Sequence, residues 1–229
     1  MINLLDLLAR PERFFSSIEG KEPDLRIPAA IAIVGAIIAA IAGYIQSGPI
    51  SEMFAGADPS GISGLGIGIA VVIFGFIIFL ILYWLIMAVA FFVISLLFKG
   101  RGKFTHTLAN TGYGLVPIII GSVLNTLLFI NYLPQIVVPV IRNIQDPTVI
   151  QEATQELLRD PAMMEYTLVA IPISLIFLIW SANIWIFGVK QARNIRLKHA
   201  CITVAIPVVL LIIYMIYTTL ISLQIGSGA

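Results

Sequence analysis

Two histidines, one cysteine and a handful of amides are the side chains that could do chemistry in an otherwise apolar chain. His106 and His199 each stand beside an apolar stretch, without a cysteine or acid at a spacing that would complete a metal site. A metal centre takes three or four convergent ligands, so both read as polar residues at helix ends and no metal is expected. Cys201 is alone, which leaves no disulfide framework. No Gly-x-Ser-x-Gly elbow, phosphate loop or dinucleotide fingerprint occurs. Gly64, Gly66 and Gly68 lack the preceding strand that a phosphate loop needs. No catalytic residue, no cofactor and no enzymatic activity are therefore expected. The remaining polar residues lie within apolar runs: Asn125 with Ser122 and Thr126, and Asn183 with Ser181 between Trp180 and Trp185. An asparagine in hydrocarbon seeks a partner on a neighbouring helix, for about 0.6 to 2 kcal/mol. Tyr113, Asn125 and Asn183 are the candidates for a polar interior, either as glue between helices or as the lining of a substrate cavity.

Long apolar helices must position these residues. The chain has 229 residues, 59% of them hydrophobic and 11% charged, with a mean hydropathy of +1.03. A soluble domain carries about 25% charged residues. A chain so poor in charge needs a bilayer as its second solvent. A spanning helix takes about 20 apolar residues. Five stretches qualify: Ile27 to Gln46, Gly64 to Phe98, Leu108 to Ile130, Tyr166 to Val189, and Ala200 to Leu223. None contains Asp, Glu, Lys or Arg. That argues against proton relays, voltage sensing and carboxylate cation sites, which keep ionisable groups within the membrane. The second stretch has no polar turn in its middle and reads as one helix. The expected fold is all-α, a polytopic membrane bundle of five transmembrane helices over residues 27–225.

The basic residues orient it, because cytoplasmic loops near spans are rich in Lys and Arg. Arg10, Arg13, Lys21 and Arg26 precede the first span. Lys99, Arg101 and Lys103 lie between spans two and three, and Lys190, Arg193, Arg196 and Lys198 between spans four and five. The opposite loops hold only Arg142 and Arg159 among basic residues, with seven acids including Glu52, Asp58, Asp146 and Asp160. The expected topology has the N-terminus in the cytoplasm and the C-terminus outside, in the cell membrane, with no cleaved signal peptide. Residues 1–26 read as a cytoplasmic amphipathic segment. Pro11 opens a helix carrying Phe14, Phe15 and Ile18 on one side, suited to the headgroup layer or to packing under the bundle. The outer loop 131–165 predicts a short amphipathic helix after Asp146-Pro147, ended by Asp160-Pro161, lying on the outer surface, with contact to a partner or capping of an outward-facing cavity as the alternatives. Small residues four apart in span one (Ala32, Ala36, Ala40; Gly35, Ala39, Gly43) mark a packing face or a dimer face. With no domain-scale basic surface, nucleic acid is not an expected partner. Anionic lipid headgroups are, alongside a protein partner or a second copy.

The order of motifs resembles the Yip1 domain family. Arg10-Pro11-Glu12-Arg13-Phe14-Phe15, with Pro28 opening span one, is similar to its N-terminal pattern. Gly102-Lys103-Phe104, then Gly112-Tyr113-Gly114-Leu115-Val116-Pro117, resembles its central glycine–tyrosine and proline motif. Trp180-Ser181-Ala182-Asn183-Ile184-Trp185 leading to Gly188-Val189-Lys190, and Lys198-His199-Ala200, are similar to its fourth span and closing element. The resemblance implies a five-helix bundle. Eukaryotic members of the family it resembles act in vesicle traffic and bind prenylated Rab-type GTPases; they carry a longer cytoplasmic N-terminal region with an acidic–aromatic motif, which is not found in the 26 residues before span one here. The compact form looks like archaeal or bacterial members. The expected role is membrane organisation, trafficking or partner recruitment through a cytoplasmic basic face of Arg10, Arg13, Lys99, Arg101, Lys103, Arg193 and Arg196. The alternative is a transporter, channel or lipid-handling protein with a polar groove between spans three and four. Cysteine labelling in sealed vesicles should place Lys99–Lys103 and the 131–165 loop in opposite compartments; labelling of both from one side would remove the five-span topology.

Overall fold

Proline and aspartate punctuate this chain, and several helices start where they stand. A computed structural model describes residues 4–55, 62–141 and 145–227. Two short N-terminal helices, α1 (Leu4–Ala9) and α2 (Pro11–Ser17), precede α3 (Arg26–Gln46). A brief α4 (Gly48–Ala55) follows at the end of α3. Then α5 (Ile62–Ile78) runs through a π-helical stretch, Phe79–Ile86, into α6 (Met87–Leu96). The third span is α7 (Phe104–Tyr113) followed by α8 (Val116–Tyr132). The amphipathic α9 (Pro147–Arg159), α10 (Pro161–Arg193) and α11 (Leu197–Ser227) complete the chain. Five runs are long and apolar enough to cross a membrane: Arg26–Ala55, Gly66–Leu96, Phe104–Gln135, Pro161–Arg193 and Leu197–Gln224. The chain is thus an all-helical, multi-pass membrane protein.

The outward faces are what a bilayer demands. Ile33, Val34, Ile37 and Ile41 on α3, Ile73 and Phe74 on α5, and Leu210, Ile213 and Tyr217 on α11 are exposed. Apolar surface on that scale is unfavourable in water and matched by hydrocarbon. The small residues of α3 point the other way: Ala32 and Ala36 are fully buried, and a Cβ at Gly35 would stand 2.5 Å from the Phe79 ring. This face is used for packing within the chain, which decides between the two readings offered by its sequence. Helix α10 packs against α7, α8 and α11, and α3 against α5, α7 and α8.

The connections gather at two ends. At the basic end lie α1 and α2, residues 97–103 and residues 194–196. Phe14 and Phe15 are 3% and 1% exposed and pack with Tyr113 and Ile184. The aromatic side of α2 is therefore turned into the bundle, packing under it, where both rings meet Tyr113 edge-on. At the acidic end, α9 buries Ala153 and Leu157. It lies over Met53 of α4 and Ile141, whose N–H donates to the Met53 carbonyl at 2.9 Å. Asp58 and Arg142 fall outside the described residues.

The helix expected after Asp146-Pro147 forms there. The Asp146 carboxylate accepts from the Thr148 hydroxyl at 2.7 Å and the Thr148 N–H at 2.9 Å. Those bonds hold its carboxyl below the usual range, Thr148 hydroxyl first. The cap's contribution is thus complete above the ordinary carboxylate pKa and fades as pH falls through the lowered one. Asp160 does more than end α9. It is 7% exposed, caps α10 by accepting from Met163 N–H at 3.0 Å, and accepts from Val137 N–H at 3.1 Å. Span four accordingly starts at Pro161, a turn earlier than its apolar stretch implied. Asp160→Ala should lower stability by about 2 kcal/mol, from the lost cap and the stranded Val137 donor, measured as thermal melting in detergent.

Candidate functional site

Two places bring polar chemistry together: the turn at the basic end, and a cavity between the spans toward the acidic end. The turn is built by Arg193, the last residue of α10, which is 1% exposed. Its Nε donates to Ser95 Oγ at 2.8 Å and its Nη2 to the Gly100 carbonyl at 2.8 Å, and its Nη1 reaches the Gly102 carbonyl. The guanidinium stands 4.1 Å from the Phe92 ring centroid. In return Arg101 N–H donates to the Arg193 carbonyl at 2.7 Å. Gly102 takes φ +112°, and a Cβ there would collide with the Ala192 carbonyl oxygen. A rigid planar fork suits three acceptors around one group in a way an ammonium cannot.

Arg193 is therefore not part of an exposed cationic face, contrary to the reading of its loop. Its neighbours Phe92, Ser95, Gly100 and Gly102 take up its donors and cover it. The other six, Arg10, Arg13, Lys99, Arg101, Lys103 and Arg196, are exposed. The N-terminal helices are tied to the same end by Lys190 Nζ to Glu12 Oε1 at 2.6 Å and by Trp180 Nε1 to the Leu8 carbonyl at 3.0 Å.

The break between α7 and α8 explains the glycine–tyrosine–proline motif physically. Pro117 lacks an N–H, so the carbonyl of Tyr113 loses its helical donor. Gly114 and Leu115 form a tight turn there, with Gly114 N–H to the Thr111 carbonyl at 3.1 Å. Trp185 lies so close to Gly114 that a Cβ would overlap its indole, and its Nε1 donates to the Thr111 carbonyl at 2.9 Å. Trp84 Nε1 does the same for the Leu108 carbonyl at 3.0 Å, beside Gly112. Tyr113 itself is buried, its ring 5.1 Å from that of Phe14. It is an interior residue, although its neighbours are aromatic and its place is the basic end. Asn110, which the sequence reading passed over, is the better satisfied amide: Nδ2 donates to the Gly188 carbonyl at 2.9 Å and to Gln191 Oε1 at 2.7 Å.

The cavity has a volume of about 340 Å³ and borders all five long helices. Its polar lining is Gln46, Tyr83, Ser122, Asn125, Tyr166 and Ser174. Phe79, Ile118, Phe177 and Leu178 supply apolar wall. Phe79 and Tyr83 come from the π-helical stretch, a geometry frequent at functional sites. Asn125 Nδ2 donates to Ser174 Oγ at 2.8 Å, so α8 and α10 are joined by an amide–hydroxyl pair. Asn125 Oδ1 is covered and has no partner.

Asn183 is not in this cavity. It is exposed, continuing the exposed stripe of Ile176 and Ile179 along α10. It stands nine residues after Ser174, which at 3.6 residues per turn places it about half a turn around the helix. Ser174 is the residue that meets Asn125, and its hydroxyl inside the fourth apolar stretch was the signal available for it. His199 stacks on Phe98 with ring centroids 4.7 Å apart. Among the described residues no group of three or more His, Cys, Asp or Glu comes together as a metal site.

The family model of the Yip1 domain matches residues 5–218. An uncharacterized protein of Methanocaldococcus jannaschii is 34% identical over 124 residues, which cover 54% of this chain and 86% of that protein. No solved structure matches. Arg193→Lys should destabilise by about 3 kcal/mol, because one ammonium cannot satisfy the acceptors the fork serves. Asn183→Leu should leave melting unchanged within about 0.5 kcal/mol, as expected of an exposed position. Equal effects of the two substitutions in one melting series would contradict this geometry.

Proposed function

The chain belongs to the Yip1 domain family, and on that footing we propose that it works without catalysis, organising its membrane or recruiting partners through the basic end of the bundle. The observation that carries this reading is the Arg193 clasp. By binding the carbonyls of Gly100 and Gly102 it sets the backbone that bears Lys99, Arg101 and Lys103. Exposed cations on an ordered frame are offered without the ordering cost that a floppy loop would carry. Arg10, Arg13 and Arg196 add to the same end. In the orientation favoured by the distribution of basic residues, that end faces the cytoplasm and the N-terminus lies there, with the cell membrane as its location. Anionic lipid headgroups are the nearest partner, at about 1 kcal/mol per basic residue near the surface.

A second reading, a lipid-handling groove, is favoured by one specific observation: the cavity of about 340 Å³ whose wall includes the Asn125 amide. The two readings use opposite ends of the bundle and do not compete.

The test of the first uses protein extracted with its lipid shell from mixed phosphatidylglycerol and phosphatidylcholine bilayers. The wild type should retain phosphatidylglycerol at least about tenfold in excess of its bulk ratio, given three to six surface cations. The triple charge reversal of Lys99, Arg101 and Lys103 to Glu should abolish that enrichment, and raised salt should weaken it. A wild-type shell at the bulk ratio would refute an anionic-lipid role for the basic end.

A further inference from the structure

The asymmetry of one amide narrows what the cavity can hold. Ser174 Oγ donates its single proton to the Ala170 carbonyl at 2.9 Å. It can therefore only accept from Asn125, which fixes Nδ2 toward Ser174 and leaves Oδ1 as the unused atom. Turning the amide over would set two acceptors against each other. Oδ1 is covered and has no hydrogen-bond partner, although the Asn125 side chain borders the cavity. An acceptor without a donor is costly in a hydrocarbon setting. Three buried side-chain atoms among the described residues share that condition, Thr107 Oγ1, Ser181 Oγ and Asn125 Oδ1, and only Asn125 borders this cavity.

The rest of the lining sets charge and size. It includes no Asp, Glu, Lys, Arg or His. A carboxylate, phosphate or ammonium would enter with no counter-charge, which a low-dielectric site penalises heavily. At roughly 30 Å³ for each small group, the cavity of about 340 Å³ holds on the order of eleven non-hydrogen atoms. The cavity is open on one side, so that is the part of a ligand it surrounds: a small head and the first carbons of a single chain. Polarity is graded along the helices. Gln46 and Tyr166 stand near the acidic end, Asn125 and Ser174 lie about two turns deeper, and Phe79, Ile118 and Leu178 line the cavity toward the middle.

We infer that the cavity binds an uncharged single-chain amphiphile, a long-chain alcohol, whose hydroxyl donates to the Asn125 amide oxygen while its chain lies against Phe79, Ile118 and Leu178. The inference rests on the lipid-handling reading and specifies its ligand. Engagement requires the Asn125 side chain to swing until Oδ1 reaches the cavity, exchanging the bond from Nδ2 to Ser174 Oγ for contacts with the ligand. The hydroxyls of Ser122, Tyr83 and Tyr166 line the same cavity and can accept or donate around the ligand.

The experiment uses the full chain in nanodiscs and three probes of equal length: 1-decanol, decane and decanoate. Adducts are measured by native mass spectrometry across a concentration series. The wild type should bind decanol at least tenfold more tightly than decane or decanoate. Asn125→Leu should remove that preference and leave decane binding unchanged, while Asn125→Gln, which keeps an amide, should recover part of it. Asn125→Leu deletes an orphaned acceptor together with the bond from Nδ2 to Ser174; should it fail to fold, the wild-type comparison of decanol with decane still decides. Equal affinity of the wild type for decanol and decane would overturn the hydroxyl inference and leave the lipid-handling reading standing. Tighter binding of decanoate would overturn the uncharged ligand. Absence of adducts with all three probes would take down both, leaving a cavity that serves water alone.

Discussion

Hydrocarbon offers no hydrogen-bond partner, so a backbone group freed inside this bundle is costly unless the protein supplies one. The places where the helices break show how it is done. The indoles of Trp84, Trp180 and Trp185 donate to the carbonyls of Leu108, Leu8 and Thr111, respectively. Arg193 serves two carbonyls and a serine hydroxyl. Each of these donors belongs to a different element from its acceptor. Satisfying the backbone is therefore also what ties the N-terminal helices, the 97–103 turn and the broken third span to the spans that carry the donors.

The same constraint explains why the two ends differ. At the basic end the charged groups and the Asn110 amide are matched, with two acceptors for Asn110, three for Arg193 and Glu12 for Lys190, while Thr107 Oγ1 is covered without a partner. That end is stiff, and its exposed cations ride on it. Toward the acidic end matching is incomplete. The Phe79 ring takes the space over Gly35, and beyond it the helices do not close on one another. What remains is a mixed apolar and polar cavity with a single committed pair, Asn125 and Ser174, and a spare oxygen. A well-satisfied end suits a docking frame, and an under-satisfied interior suits a ligand.

Much of the fold was legible because it depends on local quantities. Span length, the absence of charge within spans and the Asp146-Pro147 start each rest on residues close in sequence. The segregation of basic and acidic loops needed no knowledge of packing either. The Gly112–Pro117 motif was visible as a pattern, though the reason for it, two indoles pressed against two glycines, lies in other helices. The candidate residues were less legible. Tyr113 and Asn125 are interior, whereas Asn183 and Arg193 exchanged the places expected of them, the amide outside and the cation inside.

Chain composition and spacing alone determined the all-helical class, the number of apolar runs and the division of charge between their ends, since these follow from the cost of moving each side chain into hydrocarbon. Tertiary structure alone decided which face of each helix looks inward and which polar atoms meet. A helix is periodic, so a half-turn separates Ser174 from Asn183, and only the neighbouring helices settle which of the two is buried. Arg193 shows the same dependence at greater range, because its acceptors lie more than ninety residues away and become visible only when the chain has folded back.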